Sequence, residues 1–540
     1  MRAIRKPKKL FSPQLLAVVV LAVVALGYVI SHARAAGLVG DLNNDGVVNV
    51  FDLSILLSDW GTTTTLADLN NDGTVNIFDL SILISHWGQT GSTPTPTPTA
   101  TPSPTPTPSG TPLISGVSAN GRYLVDQSGN PFLMNGDSDW DLAWKLNAAD
   151  QNTFLANRQT NGFNTVLTDL VGSPGVLMGN TNGTNYAGDL PFTGSNFTPN
   201  PTYWAKIDTF FQAAAQHGIS VLAIPIDAYA TQNVFSSMTD AQAQAFGTFL
   251  AQRYPQTTYP GIVWMMGNDY GGDGVGCCGG GFNTQYQSLL TGLKNGGSTR
   301  PTTIEQGFYE SLSSDGPGLG PLVSVNAEYS YHPIYAGALR GYAKNAGPVF
   351  FIEGAYENAT TGFPSAPLDL RKQVGWAMTS GETGTFYGND SLWFFDSSWQ
   401  SLLNTAIVNQ RKAFFAAIAG TKWWTLAPDT GSQLVTGGRG IQGTSFAVGS
   451  TSPNTADGST GHYVTASLSA DGSLGLIYNP DTSVNHITVS NSMLGASPTI
   501  TAIDPTNGAR TDLGWTTAPT MGANAGGDHD WLFVVSAAAR

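Results

Sequence analysis

Gly261-Ile-Val-Trp-Met-Met-Gly-Asn-Asp269-Tyr270 is an apolar run that breaks at a glycine and ends on an acid. A run of that length, rich in β-branched and aromatic residues, reads as a strand buried on both faces. The texture recurs at Phe132-Leu-Met-Asn, Asn164-Thr-Val-Leu, Ile219-Ser-Val-Leu-Ala-Ile-Pro, Pro301-Thr-Thr-Ile, Val323-Ser-Val-Asn, Val349-Phe-Phe-Ile and Gly384-Thr-Phe-Tyr. Helical patterns separate several of these runs, as at Tyr203 to His217 and Asp240 to Tyr254, and the last ends near Gly420. Roughly eight strand–helix units in about 290 residues predict a (β/α)8 barrel rather than an open sheet.

Barrels place their chemistry at the carboxyl ends of the strands. Three ends carry acids: Gly136-Asp137-Ser-Asp139-Trp140, Gly267-Asn268-Asp269-Tyr270, and Ile352-Glu353-Gly-Ala-Tyr356-Glu357. Breaking a glycosidic bond needs two carboxyls across it, about 5–5.5 Å apart when configuration is retained and about 6.5–9.5 Å when it is inverted. Asp269 is expected as acid/base and Glu353 as nucleophile, with Asn268 suited to a sugar 2-hydroxyl. Structural alternatives are a helix cap or turn for Asp269 and an ion pair with Arg371 for Glu353. Glu328, in Asn326-Ala-Glu-Tyr-Ser-Tyr-His332, and Glu357 are reserve carboxylates, and His332 beside two tyrosines is a candidate sugar contact. Aromatic rings suit sugar CH faces. Trp140, Trp144, Tyr270, Tyr329, Tyr356 and Trp393 flank the acids, and about half of them are expected in the cleft. A glycine-rich loop holding Cys277-Cys278 follows Asp269 and is expected to form one lip of it.

Beyond the last helix, Tyr463-Val-Thr-Ala-Ser-Leu, Leu474-Gly-Leu-Ile-Tyr, His486-Ile-Thr-Val, Thr499-Ile-Thr-Ala-Ile and Trp531-Leu-Phe-Val-Val alternate as strands, which predicts a small β-sandwich. At the other end, basic residues precede the apolar run Leu15 to Ile30, and Ala33-Arg34-Ala35 reads as a cleavage site. Residues 1–35 are therefore expected to be a secretory signal, or less simply an uncleaved anchor, and the remainder to be extracellular. Residues 91–112 repeat Thr and Pro, an extended linker at about 3.1 Å per residue.

The chain has 540 residues, 41% hydrophobic and only 11% charged, so several domains with real cores are expected. Net charge is −14, and the first 35 residues hold six of the 23 cations and none of the 37 acids. The rest is thus strongly acidic, against a nucleic-acid or anionic-membrane partner. Two cysteines exclude a disulfide scaffold. No metal-histidine motif, phosphate-cradling loop or nucleophile elbow appears.

Asp41-Leu-Asn-Asn-Asp-Gly-Val-Val-Asn-Val-Phe-Asp52 returns 27 residues later as Asp68-Leu-Asn-Asn-Asp-Gly-Thr-Val-Asn-Ile-Phe-Asp79. Oxygen side chains fall at loop positions 1, 3, 5, 9 and 12, with glycine at 6, which is a calcium-loop spacing. Two calcium ions are expected, one on Asp41, Asn43, Asp45, Asn49, Asp52 and the Val47 carbonyl, the other on Asp68, Asn70, Asp72, Asn76, Asp79 and the Thr74 carbonyl. Each loop runs into a short amphipathic helix.

This duplication, over residues 38–90, resembles a type I dockerin, an all-α calcium module that docks onto a cohesin. Positions 10 and 11, where dockerins often present small hydroxyl residues, are Val50-Phe51 and Ile77-Phe78 here. The resemblance implies a cohesin-like partner, with a cell-surface contact as the other option. Residues from about 113 onward resemble apiosidase-type glycoside hydrolases, a barrel (here 113–430) followed by a collagen-binding-like β-sandwich (431–540). The matching motifs are Gly136-Asp137-Ser-Asp-Trp140, Trp264-Met-Met-Gly-Asn-Asp269, Glu353-Gly-Ala-Tyr356-Glu357, Arg371 with Trp376, Tyr387-Gly-Asn-Asp-Ser-Leu-Trp393, Trp423-Trp-Thr-Leu-Ala-Pro-Asp429, Asp504-Pro-Thr-Asn-Gly508 and Asp530-Trp531. The resemblance implies a retaining-type hydrolase acting on a plant or microbial polysaccharide without a catalytic cofactor. Asp137, Trp140, Asn268, Tyr270, Glu328, His332, Tyr356 and Tyr387 are the expected substrate contacts. The sequence departs from the family at Asn268, where glycine is usual, and before Tyr387, where Thr385 or Phe386 replaces a histidine. The competing class is a non-catalytic carbohydrate-binding or adhesion protein.

Overall fold

The computed structural model describes residues 38–42, 48–63, 66–89, 111–171, 183–226, 237–271, 281–307, 311–331, 334–359, 366–443 and 460–540. The signal segment, the Thr/Pro repeat through residue 110, Cys277-Cys278, His332 and the loop-1 residues Asn43, Asp45 and Val47 lie outside them. The chain forms two compact units, divided near Ser103.

In the first unit, α1 (Val50–Ser58) and α2 (Ile77–Ser85) follow the two Asn/Asp/Gly loops. Asn76 caps α2, and Asp79 answers from the third helical position with a bond to the Asn76 backbone, closing a capping box. The chain leaving each helix then pairs with the opposite loop. Gly61 N donates to Val75 O at 2.8 Å, and Gly88 N donates to Val48 O at 2.8 Å. Leu42, Val48, Leu56, Ala67, Val75 and Leu83 form the small core between the halves.

The second unit opens with a three-stranded ribbon, Ile114–Val117, Leu124–Asp126 and Pro131–Phe132. Eight parallel strands follow: β1 (Met134–Ser138), β2 (Thr165–Asp169), β3 (Ser220–Ile224), β4 (Ile262–Met265), β5 (Thr302–Thr303), β6 (Asn326–Tyr329), β7 (Val349–Glu353) and β8 (Gly384–Tyr387). Their order is 5-4-3-2-1-8-7-6, and the ring joins where Ser324 N and Val325 N donate to Thr302 O at 2.9 and 3.0 Å. This is the (β/α)8 barrel expected from the alternating runs. Inward residues such as Leu167, Leu222, Val263, Phe350, Ile352 and Phe386 fill it, and Ile114, Leu124 and Phe132 of the ribbon join the same cluster. A Cβ at Gly136 would collide with the Phe386 ring, so only glycine fits β1 there.

Helices α3 (Ala148–Thr160), α4 (Pro201–Gln216), α5 (Asp240–Arg253), α6 (Asn283–Asn295), α7 (Tyr335–Lys344), α8 (Pro367–Thr379) and α9 (Ala406–Ala419) supply the outer layer. The regular alternation fails once. Among the described residues, β5 and β6 are joined by two 3-10 turns and a short strand, Ser311–Leu312, antiparallel to β6. The Gly/Pro/Ser-rich segment 313–321 offers no apolar helical face to bury. Ser313 compensates: its hydroxyl donates to Ile304 O at 2.5 Å and accepts from Ala327 N at 2.8 Å, tying β5 to β6.

The carboxyl-terminal part is a six-stranded antiparallel sheet with a two-stranded partner. The large sheet contains Leu426–Pro428, Thr465–Ser469, Leu474–Asn479, Trp531–Ser536, Thr499–Ile503 and Arg510–Gly514 in that order. Val435–Gly437 pairs with Thr488–Val489 across a core of Leu434, Val435, Ile477, Val489, Phe533 and Val535. The opposite face packs on the barrel: Tyr478 fills the space over Gly375 of α8. Arg371 of α8 donates to both oxygens of Asp530 at 2.9 and 2.8 Å, and to Asp528 at 2.6 Å. The alternative partner weighed for Glu353 is therefore committed elsewhere.

Asp530 is fully buried, and removing one member of a buried pair leaves an uncompensated charge. Arg371→Met should lower stability by about 3–5 kcal/mol, measured by denaturant unfolding of the full chain. A loss below about 1 kcal/mol would show that the joint between barrel and sheet does not depend on this pair.

Candidate active site

Strand parity decides which acids reach the barrel mouth. Along β6, Ala327 and Tyr329 face inward and Glu328 faces out. Along β7, Phe350 and Ile352 face in and Phe351 out, so strict alternation would turn Glu353 away from the mouth. A register shift corrects this: Glu328 pairs with Phe351, but Tyr329 pairs with Glu353. The extra β7 residue is a bulge that re-aims the side chain, placing Glu353 on the same side as Tyr329.

On β4 the device is backbone handedness. The strand ends at Met265, Gly267 adopts φ +95° and Asp269 φ +45°. The segment is zipped to the end of β5 by Met266 N to Thr303 O at 2.8 Å, Glu305 N to Gly267 O at 3.3 Å and Tyr270 N to Glu305 O at 3.1 Å. A side chain at Gly267 would meet the Tyr286 hydroxyl at 2.7 Å, so glycine is required on both counts. These turns aim Asp269 across the mouth toward Glu353.

The two carboxyls line one cavity of about 250 Å³ with Trp140, Asn268, Tyr329, Tyr331, Gly354, Tyr356, Ala359, Asp390 and Trp393. Three phenols converge on Glu353: Tyr329 OH donates to Oε1 at 2.9 Å, Tyr331 OH to Oε1 at 3.4 Å and Tyr356 OH to Oε2 at 3.1 Å. Tyr329 also acts on Asp269, offsetting part of the effect of burial on its carboxyl. Trp140 Nε1 donates to Tyr356 OH at 3.0 Å and fixes that ring.

Burial raises Asp269 to about 6, and burial with repulsion from Asp269 raises Glu353 to about 8 against the three phenols. As interacting groups they release their protons in two shared steps. Hydrogen bonding ranks them further: Glu353 accepts from three donors, whereas Asp269 Oδ1 is buried with no hydrogen-bond partner among the described residues. These bonds favour the anion on Glu353 and oppose the order of the two values, which puts the shared proton on Glu353; the form that can hydrolyse is the one with the proton on Asp269 and the charge on Glu353.

Of the other sequence-expected contacts, Trp140, Asn268 and Tyr356 line the cavity. Tyr270 does not: its ring packs on Tyr286 in the outer core and its hydroxyl donates to Asn283 at 2.8 Å. Asp137 faces out from β1 into an ion pair with Arg158 of α3. Glu328 faces out against Gly337 of α7 and beside Glu382. Tyr387 is buried outside the cavity, its hydroxyl bonded to Glu357. Parity explains these three, since each lies on an outward position of its strand. Trp144 is likewise core, leaving Trp140, Tyr329, Tyr356 and Trp393 as cavity rings. At the family's histidine position, Thr385 bonds Arg411 and Phe386 fills the barrel. Residue-type reasoning did not single out Asp390 or Glu305. Asp390 lines the cavity within the Tyr387–Trp393 motif, and Glu305 lies behind Asp269.

In the first unit, the described donors of the second calcium loop are all oxygen. Asp68 accepts from Asp72 N and Gly73 N, and Asp72 from Thr74 N, around Gly73 at φ +91°. Asp79 accepts from the amides of Leu69, Asn70 and Asn76. Asp52 does the same in loop 1, from Leu42 and Asn49. Asp68 Oδ1 and Oδ2, Asp72 Oδ1 and Asp79 Oδ2 each accept one of these bonds and keep a second lone pair, so the hard-oxygen set of the second loop fits calcium. Among the described residues no group of three or more acidic, histidine or cysteine side chains is gathered closely enough to hold a metal ion without amide or carbonyl oxygens.

Comparison with known proteins follows this division. The apiosidase-like catalytic domain model matches residues 118–426, and the type I dockerin model matches residues 39–88. No curated protein matches. A structure described as a glycoside hydrolase aligns at TM-score 0.63 and 19% identity, over 79% of this chain and 97% of its own. A family 5 glycoside hydrolase from Bacteroides vulgatus aligns at 0.64 and 19%, over 79% and 94%. Likeness at that identity speaks for the fold. The family model spans more than half of the chain: the protein belongs to the apiosidase-like glycoside hydrolases and carries a type I dockerin module.

Proposed function

We propose that this chain is a secreted, retaining glycoside hydrolase of plant or microbial polysaccharides, with Glu353 as nucleophile and Asp269 as acid/base. The single observation that carries the reading is that Asp269 and Glu353 line one cavity, with Tyr329 acting on both. Carboxyls close enough to share one phenol and repel each other suit the short separation of a retaining pair.

In the first step the Glu353 carboxylate attacks the anomeric carbon while Asp269 passes its proton to the departing glycosidic oxygen. In the second, Asp269 takes a proton from water, which displaces Glu353 from the sugar and returns both groups to their starting state. Tyr329, Tyr331 and Tyr356 stabilise the Glu353 anion before attack and after release. Trp140 and Trp393 offer faces to sugar CH groups, and Asn268 and Asp390 offer hydroxyl partners.

The dockerin module attaches the enzyme to a cohesin-like partner, with two calcium ions holding its loops. Val50, Ile77 and Phe78, at positions 10 and 11, are each more than half exposed, which suits an apolar contact. No helix among the described residues is long and apolar enough to cross a membrane.

Asp269→Asn and Glu353→Gln should each lower kcat by about 10²–10⁴-fold on a glycan that the wild type cleaves, measured as reducing-sugar release. Activity equal to wild type in either variant removes that residue from the mechanism. A glycan bound but never cut by the wild type would return the chain to the binding-protein class. Only the singly protonated pair is competent, so kcat/KM should follow a bell with limbs near pH 6 and pH 8. A flat profile across that span contradicts the two-carboxyl mechanism. For the module, calorimetric titration of the full chain should count two calcium ions, falling to one in Asp68→Ala. An unchanged count would mean that the second loop binds no ion.

A further inference from the structure

A third carboxyl lies behind the pair. Glu305 follows β5, is 1% exposed, and does not line the cavity. Its Oε2 accepts from Asp269 N at 3.4 Å, and its backbone bonds Gly267 and Tyr270 on either side of Asp269. Asp269 is held there at φ +45°, a left-handed conformation that a residue with a side chain adopts only when its surroundings impose it. Oε1 of Glu305 is buried without a hydrogen-bond partner among the described residues.

We infer that Glu305 is a positioning residue: its carboxyl accepts the Asp269 amide, locks the left-handed turn and so keeps the Asp269 proton aimed at the leaving oxygen. This rests on the assignment of Asp269 as the acid.

The charge state follows from the surroundings. Asp269 from the end of β4 and Glu353 from β7 are the charged groups acting on Glu305, and none of the groups acting on it is a cation. A carboxylate oxygen buried without a donor is costly, and three neighbouring carboxyls cannot all ionise. Burial first, then Glu353 and Asp269, hold Glu305 well above the usual carboxylate range. A neutral group adds no further negative charge beside Glu353, whose anion must attack. It still presents the oxygen that the Asp269 amide needs.

A residue that acts through the acid has a signature that general destabilisation lacks. Leaving groups that depart without a proton do not need Asp269 in the first step. The probes are two aryl glycosides of whichever sugar the wild type releases, one with a phenyl and one with a 2,4-dinitrophenyl leaving group. Glu305→Ala should lose about tenfold or more in kcat/KM on the phenyl glycoside and about threefold or less on the dinitrophenyl one. Glu305→Gln, which keeps the acceptor oxygen and the neutral charge, should recover most of the loss without moving the limbs of the pH profile.

Equal losses on both probes, or no loss, overturn the inference. So does a shift of the limbs in Glu305→Gln, which would mean that Glu305 is ionised. Asp269→Ala is the control that separates the two levels. If it shows no leaving-group dependence, the assignment of the acid fails. If it does and Glu305→Ala does not, only the role of Glu305 fails.

Discussion

The Tyr329 hydroxyl lies between two carboxyl groups that burial makes reluctant to ionise together. Trp140, Tyr356 and Trp393 line the mouth around them, and a shared proton and the phenol donors relieve the repulsion. The same arrangement that makes the site electrostatically unstable makes it reactive. Burial lets one group keep a proton near neutral pH, ready for the leaving oxygen, and three hydroxyls stabilise the other as an anion. Backbone departures from regularity create that geometry. A bulge in β7 turns Glu353 inward, and two left-handed residues after β4 turn Asp269 toward it. Without the bulge, a regular β7 would send Glu353 into the helical layer, as happens to Glu328.

Strain of this kind needs a stiff frame, and the frame is bought with glycine and buried ion pairs. Gly136 and Gly375 each sit where a neighbouring ring occupies the space of a Cβ, the first inside the barrel and the second between α8 and the carboxyl-terminal sheet. Arg158 holds Asp137 below the mouth, and Arg411 holds Asn135 and Thr385. Arg371 spans the joint to Asp530, so the sheet braces the same helix layer that supports β7 and β8. The first unit solves its smaller problem differently. With few core residues, it lets the segment after each helix hydrogen-bond the opposite loop, so neither half is complete alone.

Much of this was legible in the residues because burial leaves a compositional trace. Runs such as Gly261 to Met266 and Val349 to Ile352 mark barrel strands, since both faces are covered. The duplicated loops announced themselves by spacing. What the residues did not reveal has physical reasons. The β5–β6 connection lacks an α-helix because Ser313, a single hydroxyl, ties the strands in place of a packed face. Short exposed strands such as Arg510–Gly514 have no apolar alternation to read. Tyr270 follows the acid as closely as Asn268 precedes it, yet the left-handed turn sends its ring outward to Tyr286.

Parity is the sharpest case, because it separates residues that look alike in sequence. Glu328 and Glu353 both lie near the end of an apolar strand, next to or near a tyrosine. Counting alternate positions sends both outward, and for Glu328 the count holds. For Glu353 it fails by one residue, and the residue beside it shows why the failure is tolerated. A Cβ at Gly354 would meet Ser330 O at 2.7 Å and Gln373 Nε2 at 2.9 Å. Only a glycine lets β7 come close enough after the bulge for Ser330 N to donate to Glu353 O at 3.0 Å. The Glu-Gly pair is therefore one device, an acid and the vacancy that lets its backbone shift. Asn268-Asp269 after Gly267 is built on the same principle at the opposite wall. In both places the signal in the sequence is a glycine within two residues of the acid rather than the acid alone.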